Sequence, residues 1–154
     1  MTTPLLFKSA AELLAAILSG TSPADAQMER YFRAHPKLGA RDRGHIAETV
    51  YACLRRRRIF GYLASGSVVT DATAEAIVAA CLVALQGASG RALAATGFRG
   101  DATAMVERAR APDTQALPLG VQLDLPDWLL ERLLAQYGES ETRALAAALN
   151  QPAT

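Results

Sequence analysis

The chain has 154 residues, a formal net charge of +1, 51% hydrophobic and 20% charged residues, and only 6% aromatics. That is enough chain for one domain with a proper core, or one domain and the start of another. The excess of Ala and Leu over β-branched residues favours helices and leaves few strands expected. The longest apolar run, residues 77–85, falls far short of the roughly 20 residues that cross a bilayer, and the N-terminus lacks a basic region ahead of a long apolar stretch, so no secretory signal is expected and a cytoplasmic location follows.

Helix signals recur along the chain. Leu6, Ala10, Leu13, Leu14 and Ile17 repeat at the spacing of one helical face, with Gly20 placed to end it. A second helix is expected with Ser22 as N-cap, Pro23 at the first helical position and Asp25 three residues after the cap, stopped by His35-Pro36. A third runs from about residue 41 to the neighbourhood of Phe60, weakened by Gly61 and Gly66. The segment "DATAEAIVAACLVALQG" is apolar nearly all round, as a central bundle helix would be. The string Asp-Ala-Thr-Ala, at 71–74 and again at 101–104, reads as an Asp N-cap before helix formers on both occasions rather than as a repeat. "GASGRALAAT" and "DATAMVERARA" suggest two short helices. Residues 112–125, rich in proline and without a helical period, read as a linker after a first unit, 1–111. Residues 126–154 then hold two helices separated at Gly138 and stopped by Asn150 and Pro152; the chain is expected to be a piece of a longer protein.

Between residues 30 and 58, nine Lys and Arg side chains face only Asp42 and Glu48, a local charge of +7 that leaves −6 on the rest of the chain. Segregation of this kind is the footprint of a phosphate-backbone partner, although arginine runs also serve as solvated helix faces. On one regular helix Ile46, Val50, Cys53 and Leu54 form the core stripe, with Arg41, Glu48 and Arg55 opposite. Arg43 and Arg57 then fall on or beside the apolar stripe and are assigned structural roles, with stems packed on the core. Arg41, Arg55, Arg56 and Arg58, helped by Arg33 and Lys37, are the candidate phosphate contacts. Asp42 is assigned as a cap or salt-bridge partner.

No catalytic constellation accompanies this stretch. His35 and His45 stand ten residues apart without a ligand set around them. The "GASG" at 87–90 follows a helix and lacks nucleotide-loop spacing, and no serine sits in a nucleophile elbow. Cys53 and Cys81 lie in apolar helical segments and read as small buried hydrophobes.

Two blocks carry a resemblance. "LGARDRGHIAETVYACLRRRR" is similar to the Leu-Gly-x-x-Asp-Arg, Val-Tyr and Leu-Arg-Arg pattern of the N-terminal domain of bacterial 16S rRNA cytosine-C5 methyltransferases of the Fmu or Sun type; "LPDWLLERLLAQYG" with "ALAAALNQPA" resembles the connector toward their catalytic part. The resemblance implies an all-α, NusB-like helical bundle with two extra connector helices, acting as an RNA-binding module for 16S rRNA; Trp128, one of the apolar positions of the first connector helix, is assigned a structural role. S-adenosylmethionine and the catalytic cysteines would belong to the parent's methyltransferase domain, outside this sequence, so this chain alone is not expected to be an enzyme and no catalytic, cofactor or metal residue transfers to it. The rival expectations are a free-standing antitermination-type regulator binding RNA with a protein partner, and a structural module docking on its own catalytic domain.

Overall fold

The computed structural model describes residues 2–68, 72–110 and 116–151. Nine helices and no strand lie among them: α1 Pro4–Ser19, α2 Ala24–Ala34, α3 Ala40–Arg55, α4 Arg57–Ser65, α5 Ala74–Gln86, α6 Gly90–Ala95, α7 Ala102–Arg110, α8 Leu119–Leu123 and α9 Asp127–Leu149. The described residues are all-α, in keeping with a composition that favours helices.

Helix α5 is the core element. Every residue from Ile77 to Val83 is buried, and α1, α3, α4 and α7 all pack on it. Helix α1 contributes Phe7, Ala10, Leu13 and Leu14, and α3 contributes Ile46, Val50 and Cys53, each of these three 0% exposed. The predicted face of α3 is therefore the one that enters the core, extended by Thr49 and Ala52, while Leu54 lies partly buried at its edge. Both cysteines are buried free thiols.

Local chemistry sets the helix starts. Thr3 accepts from the Leu6 amide at 3.2 Å, with Pro4 in the first turn of α1. Helix α2 begins one residue later than expected: Pro23 (ψ 151°) is itself the N-cap, leaving Ser22 outside. The two Asp-Ala-Thr-Ala strings are capped in different registers. Asp101 accepts from the Ala104 amide at 3.0 Å, whereas ahead of α5 the cap is Thr73, accepting from Ala76 at 3.2 Å; Asp71 lies outside the described residues. The "GASG" stretch is the turn between α5 and α6, where Ser89 accepts from the Ala92 amide at 3.1 Å.

Three expectations are corrected. The basic helix does not run unbroken to Phe60: Arg56 (φ −120°, ψ 33°) interrupts it, and α4 starts afresh at Arg57. The proline-rich stretch after α7 is not wholly without helix, for it contains α8, with Gly120 and Val121 buried. Trp128 is 62% exposed, with the Arg132 guanidinium 5.9 Å from its ring centre, and is not a core residue of this chain.

Helix α9 is two helical segments joined across a kink at Gly138. Gly138 has φ 79° and ψ 174°, a conformation that only glycine adopts readily. A straight helix would carry residue 150 about 35 Å from residue 127, yet Asn150 Nδ2 donates to the Leu123 carbonyl at 3.1 Å. The chain therefore folds back at Gly138, and residues 127–137 and 139–149 are two arms of a hairpin. The second arm buries Thr142 and Ala146, and Arg143 reaches Gln122 on α8 at 3.3 Å. The expected pair of helices separated at Gly138 is what the structure contains.

Ile46 is fully buried where α3 meets the core. Ile46→Ala should lower the unfolding free energy by about 2–4 kcal/mol, read as a lower urea midpoint at unchanged slope; a loss well under 1 kcal/mol would contradict this packing.

Candidate nucleic-acid interface

The break at Arg56 divides the arginines by function. Starting α4 at Arg57 leaves first-turn amides without intrahelical acceptors, and the flanking Arg56 provides no side-chain cap. The acceptor comes from a distant segment: Asp124, at the end of α8, takes the Ile59 amide on Oδ1 at 3.0 Å and pairs through Oδ2 with Arg56 Nε at 3.3 Å. The Asp124 side chain is 1% exposed, against 39% for Arg56. Arg56 also lies 5.8 Å from the Phe60 ring centre, a cation–π contact that holds its stem down.

Arg58 is committed in the same direction. Its Nη1 donates to the Leu125 carbonyl at 2.7 Å and to Asp127 Oδ1 at 2.8 Å. The path is open because residue 120 has no side chain, for a Cβ at Gly120 would lie 2.5 Å from Arg58 Nη1 and 2.9 Å from Asp127 Oδ1. Arg56 and Arg58 thus form a clamp that holds α8 and the start of α9 against α4. Two of the expected RNA contacts are occupied within the chain.

The remaining cations divide as follows. Arg33 pairs with Glu29 one turn away at 2.6 Å, with both side chains 73% exposed, a pair of small energetic worth in water. Lys37 and Arg41 are exposed and Arg55 is half-buried, with no ion pair or hydrogen bond to any of the three side chains among the described residues. Arg43 and Arg57, expected on the apolar stripe, are instead exposed and also without an acidic partner among the described residues. For Arg57 the reason is the interruption at Arg56, which resets the helical phase. Arg43 stands near the start of α3, ahead of its first buried residue, Ile46, and is exposed there. Arg30, on α2, is a further exposed cation. Asp42 is not the cap of α3: Gly39 occupies that position without a side-chain bond, and Asp42 lies in the first turn, where a carboxylate suits the positive helix end.

Sequence reasoning missed Asp124, Asp127, Gly120 and Arg108. Arg108 closes the other end of α4, donating to the Leu63 and Ala64 carbonyls at 2.8 and 3.1 Å. Nothing near these residues in the sequence signals such roles, because each partner lies 44–69 residues away. His35 stacks on Tyr31 at 4.1 Å, and His45 meets Thr2 Oγ1 at 3.2 Å. Among the described residues no cluster of three or more His, Cys, Asp or Glu could hold a metal ion, and no helix is long and apolar enough to cross a membrane.

Burial pushes the Asp124 carboxyl above its ordinary 3.8, and the Ile59 amide and Arg56 guanidinium offset only part of that. A carboxyl that holds its proton more tightly folded than unfolded lowers stability as pH rises from about its unfolded value through its folded one, with the loss complete above both. Asp124→Asn keeps an acceptor for Ile59 but cannot ionise. In urea titrations from pH 3 to pH 7, wild-type stability relative to this variant should fall across that window and then level off. Parallel pH profiles would show that the Ile59 amide and the Arg56 guanidinium offset the desolvation of Asp124 in full. No family model, no curated protein and no solved structure matches this chain.

Proposed function

We propose that this chain is an RNA-binding module, the N-terminal part of an S-adenosylmethionine-dependent rRNA cytosine-C5 methyltransferase, which holds 16S rRNA for a catalytic domain. The observation that carries the reading is that Lys37, Arg41, Arg43, Arg55 and Arg57 lie within 21 residues without an acidic partner in contact among the described residues, while every other part of the chain together carries net negative charge. Unpaired cations from the loop before α3, from α3 and from the start of α4 attract phosphates, and counterion release makes such binding steeply salt-dependent and largely independent of sequence. The resemblance of residues 38–58 to the Leu-Gly-x-x-Asp-Arg and Leu-Arg-Arg pattern, and of the 126–149 segment to the connector, supports the choice of parent enzyme. S-adenosylmethionine would be held by the catalytic part, and no residue of this chain is assigned to it.

One observation favours a second reading, a structural module docking on its own catalytic domain: Trp128, Tyr137, Leu145 and Leu149 are exposed on the hairpin, Trp128 and Leu149 at 62% each. Salt-dependent RNA binding separates the two. Arg41→Glu with Arg57→Glu is the informative variant, since both sites lie in first helical turns, where an acidic residue is favourable and the fold is preserved. For a short single-stranded segment of 16S rRNA, the wild-type log–log salt slope should be about −2 to −4, and its magnitude should fall by about 1.5 in the variant as two phosphate contacts are lost. Equal, weak binding by both proteins would overturn the RNA reading in favour of the docking module.

A further inference from the structure

Between α3 and α5 the surface opens into a groove of about 610 Å³, within the range of small-ligand sites. Ala52 and Cys81, both buried, form its apolar floor, and exposed Leu85 stands at the rim. Along α3, Arg41, Glu48 and Arg55 recur at seven-residue intervals on one helical phase, each about 10 Å from the next along the axis, so the outer face reads plus, minus, plus. Glu48 and Arg55 both line the groove. The two are not paired with each other, and no other ion pair engages either among the described residues. Tyr51 borders the same groove with its hydroxyl tied to Asp25.

The chemistry narrows the occupant. A carboxylate offers only acceptors and a guanidinium only donors, so the matching ligand carries N–H groups at one end, an anion at the other and a body that tolerates apolar walls between them. An amino acid bears its two charges on one carbon and cannot reach both groups. A nucleotide can. Among the bases, guanine presents N1–H and an N2 amino proton side by side on its pairing edge, a match for both oxygens of a carboxylate, whereas adenine and cytosine present one amino group and uracil one imino proton. That edge is free only in an unpaired base, the form in which proteins read RNA. Glu48 would repel a phosphate, so on a phosphate-binding face it marks the place where the chain must turn a base toward the protein.

We propose that the α3–α5 groove binds guanine nucleotide, with Glu48 accepting from N1–H and N2–H and Arg55 holding the phosphate, the nucleotide being an unpaired guanosine within RNA or a free nucleotide. As a site within RNA the proposal rests on the RNA-binding reading above.

The test uses the full chain, fluorescence anisotropy at low salt, and the labelled pentanucleotides UUGUU, UUAUU and UUUUU, with GMP and AMP as competitors. UUGUU should bind about tenfold more tightly than the other two, the discrimination expected of a bidentate base contact. Glu48→Gln should bring the three oligonucleotides within about twofold of one another, with UUUUU binding no weaker than in wild type because a charge that repels phosphate is gone, and Arg55→Ala should weaken GMP but not guanosine. Displacement of UUGUU by GMP and not by AMP supports the site. Should GMP bind the wild type more tightly than UUGUU does, and lose that affinity in Glu48→Gln, the free nucleotide is the ligand. Salt-sensitive binding of all three oligonucleotides with equal affinity and no GMP binding would overturn the guanine site and leave the RNA reading in place. No binding of any oligonucleotide or of GMP would overturn both.

Discussion

A single buried carboxylate organises the basic half of the molecule. Asp124 caps α4 from outside, accepting the Ile59 amide, and at the same time neutralises Arg56. A helix that restarts after one non-helical residue has orphan amides to satisfy, and here they are met by a residue 65 positions away in sequence. The arrangement ties together features that look separate: the interruption at Arg56, the outward turn of Arg57, the inward commitment of Arg58 and the seating of α8 on α4. Because the Asp124 carboxylate is desolvated while Arg56 stays half-exposed, the carboxylate is the partner that depends on the contact, and losing Arg56 would leave a buried charge uncompensated. The clamp is thus a device for placing elements rather than a large source of stability.

The same constraint decides which cations can face a partner. Four consecutive arginines, Arg55 to Arg58, look like one patch, but alternate members are consumed by internal bonds and the others are left outside. Arg41 and Arg57 occupy first helical turns, where the backbone already presents positive potential and a cation is mildly unfavourable.

Much of the architecture was legible in the sequence because it is written in local terms. The apolar periodicity of α1, the all-round apolar character of α5, the Asp101 cap and the break at Gly138 involve residues within a turn or two of one another. The core stripe Ile46, Val50 and Cys53 was readable for the same reason. What escaped was non-local. A regular helix was the correct local inference for residues 41–60, and only a carboxylate arriving from α8 makes the interruption at Arg56 tolerable. The role assigned to Arg57 followed from that assumed regularity, whereas Arg43 stands in the regular part of α3 but before its first buried residue, Ile46. Exposed Trp128 was likewise assigned by its apolar character, although the elements that meet α9 leave its ring outside. The repeated Asp-Ala-Thr-Ala shows the finer limit, since identical letters are capped by Asp101 in one place and by Thr73 in the other.

The turn at Gly138 has a stereochemical consequence. At φ 79° and ψ 174° the backbone is the near mirror image of ordinary extended chain, the conformation that an L residue reaches only with strain and a D residue adopts at rest. No neighbouring atom lies within 4 Å of where a Cβ would stand, so space is not what reserves the position. Handedness is. The hairpin that carries the exposed apolar residues is closed by one achiral residue standing in for a D amino acid, and its two arms keep their relative direction through the chirality of a single backbone step rather than through a packed loop.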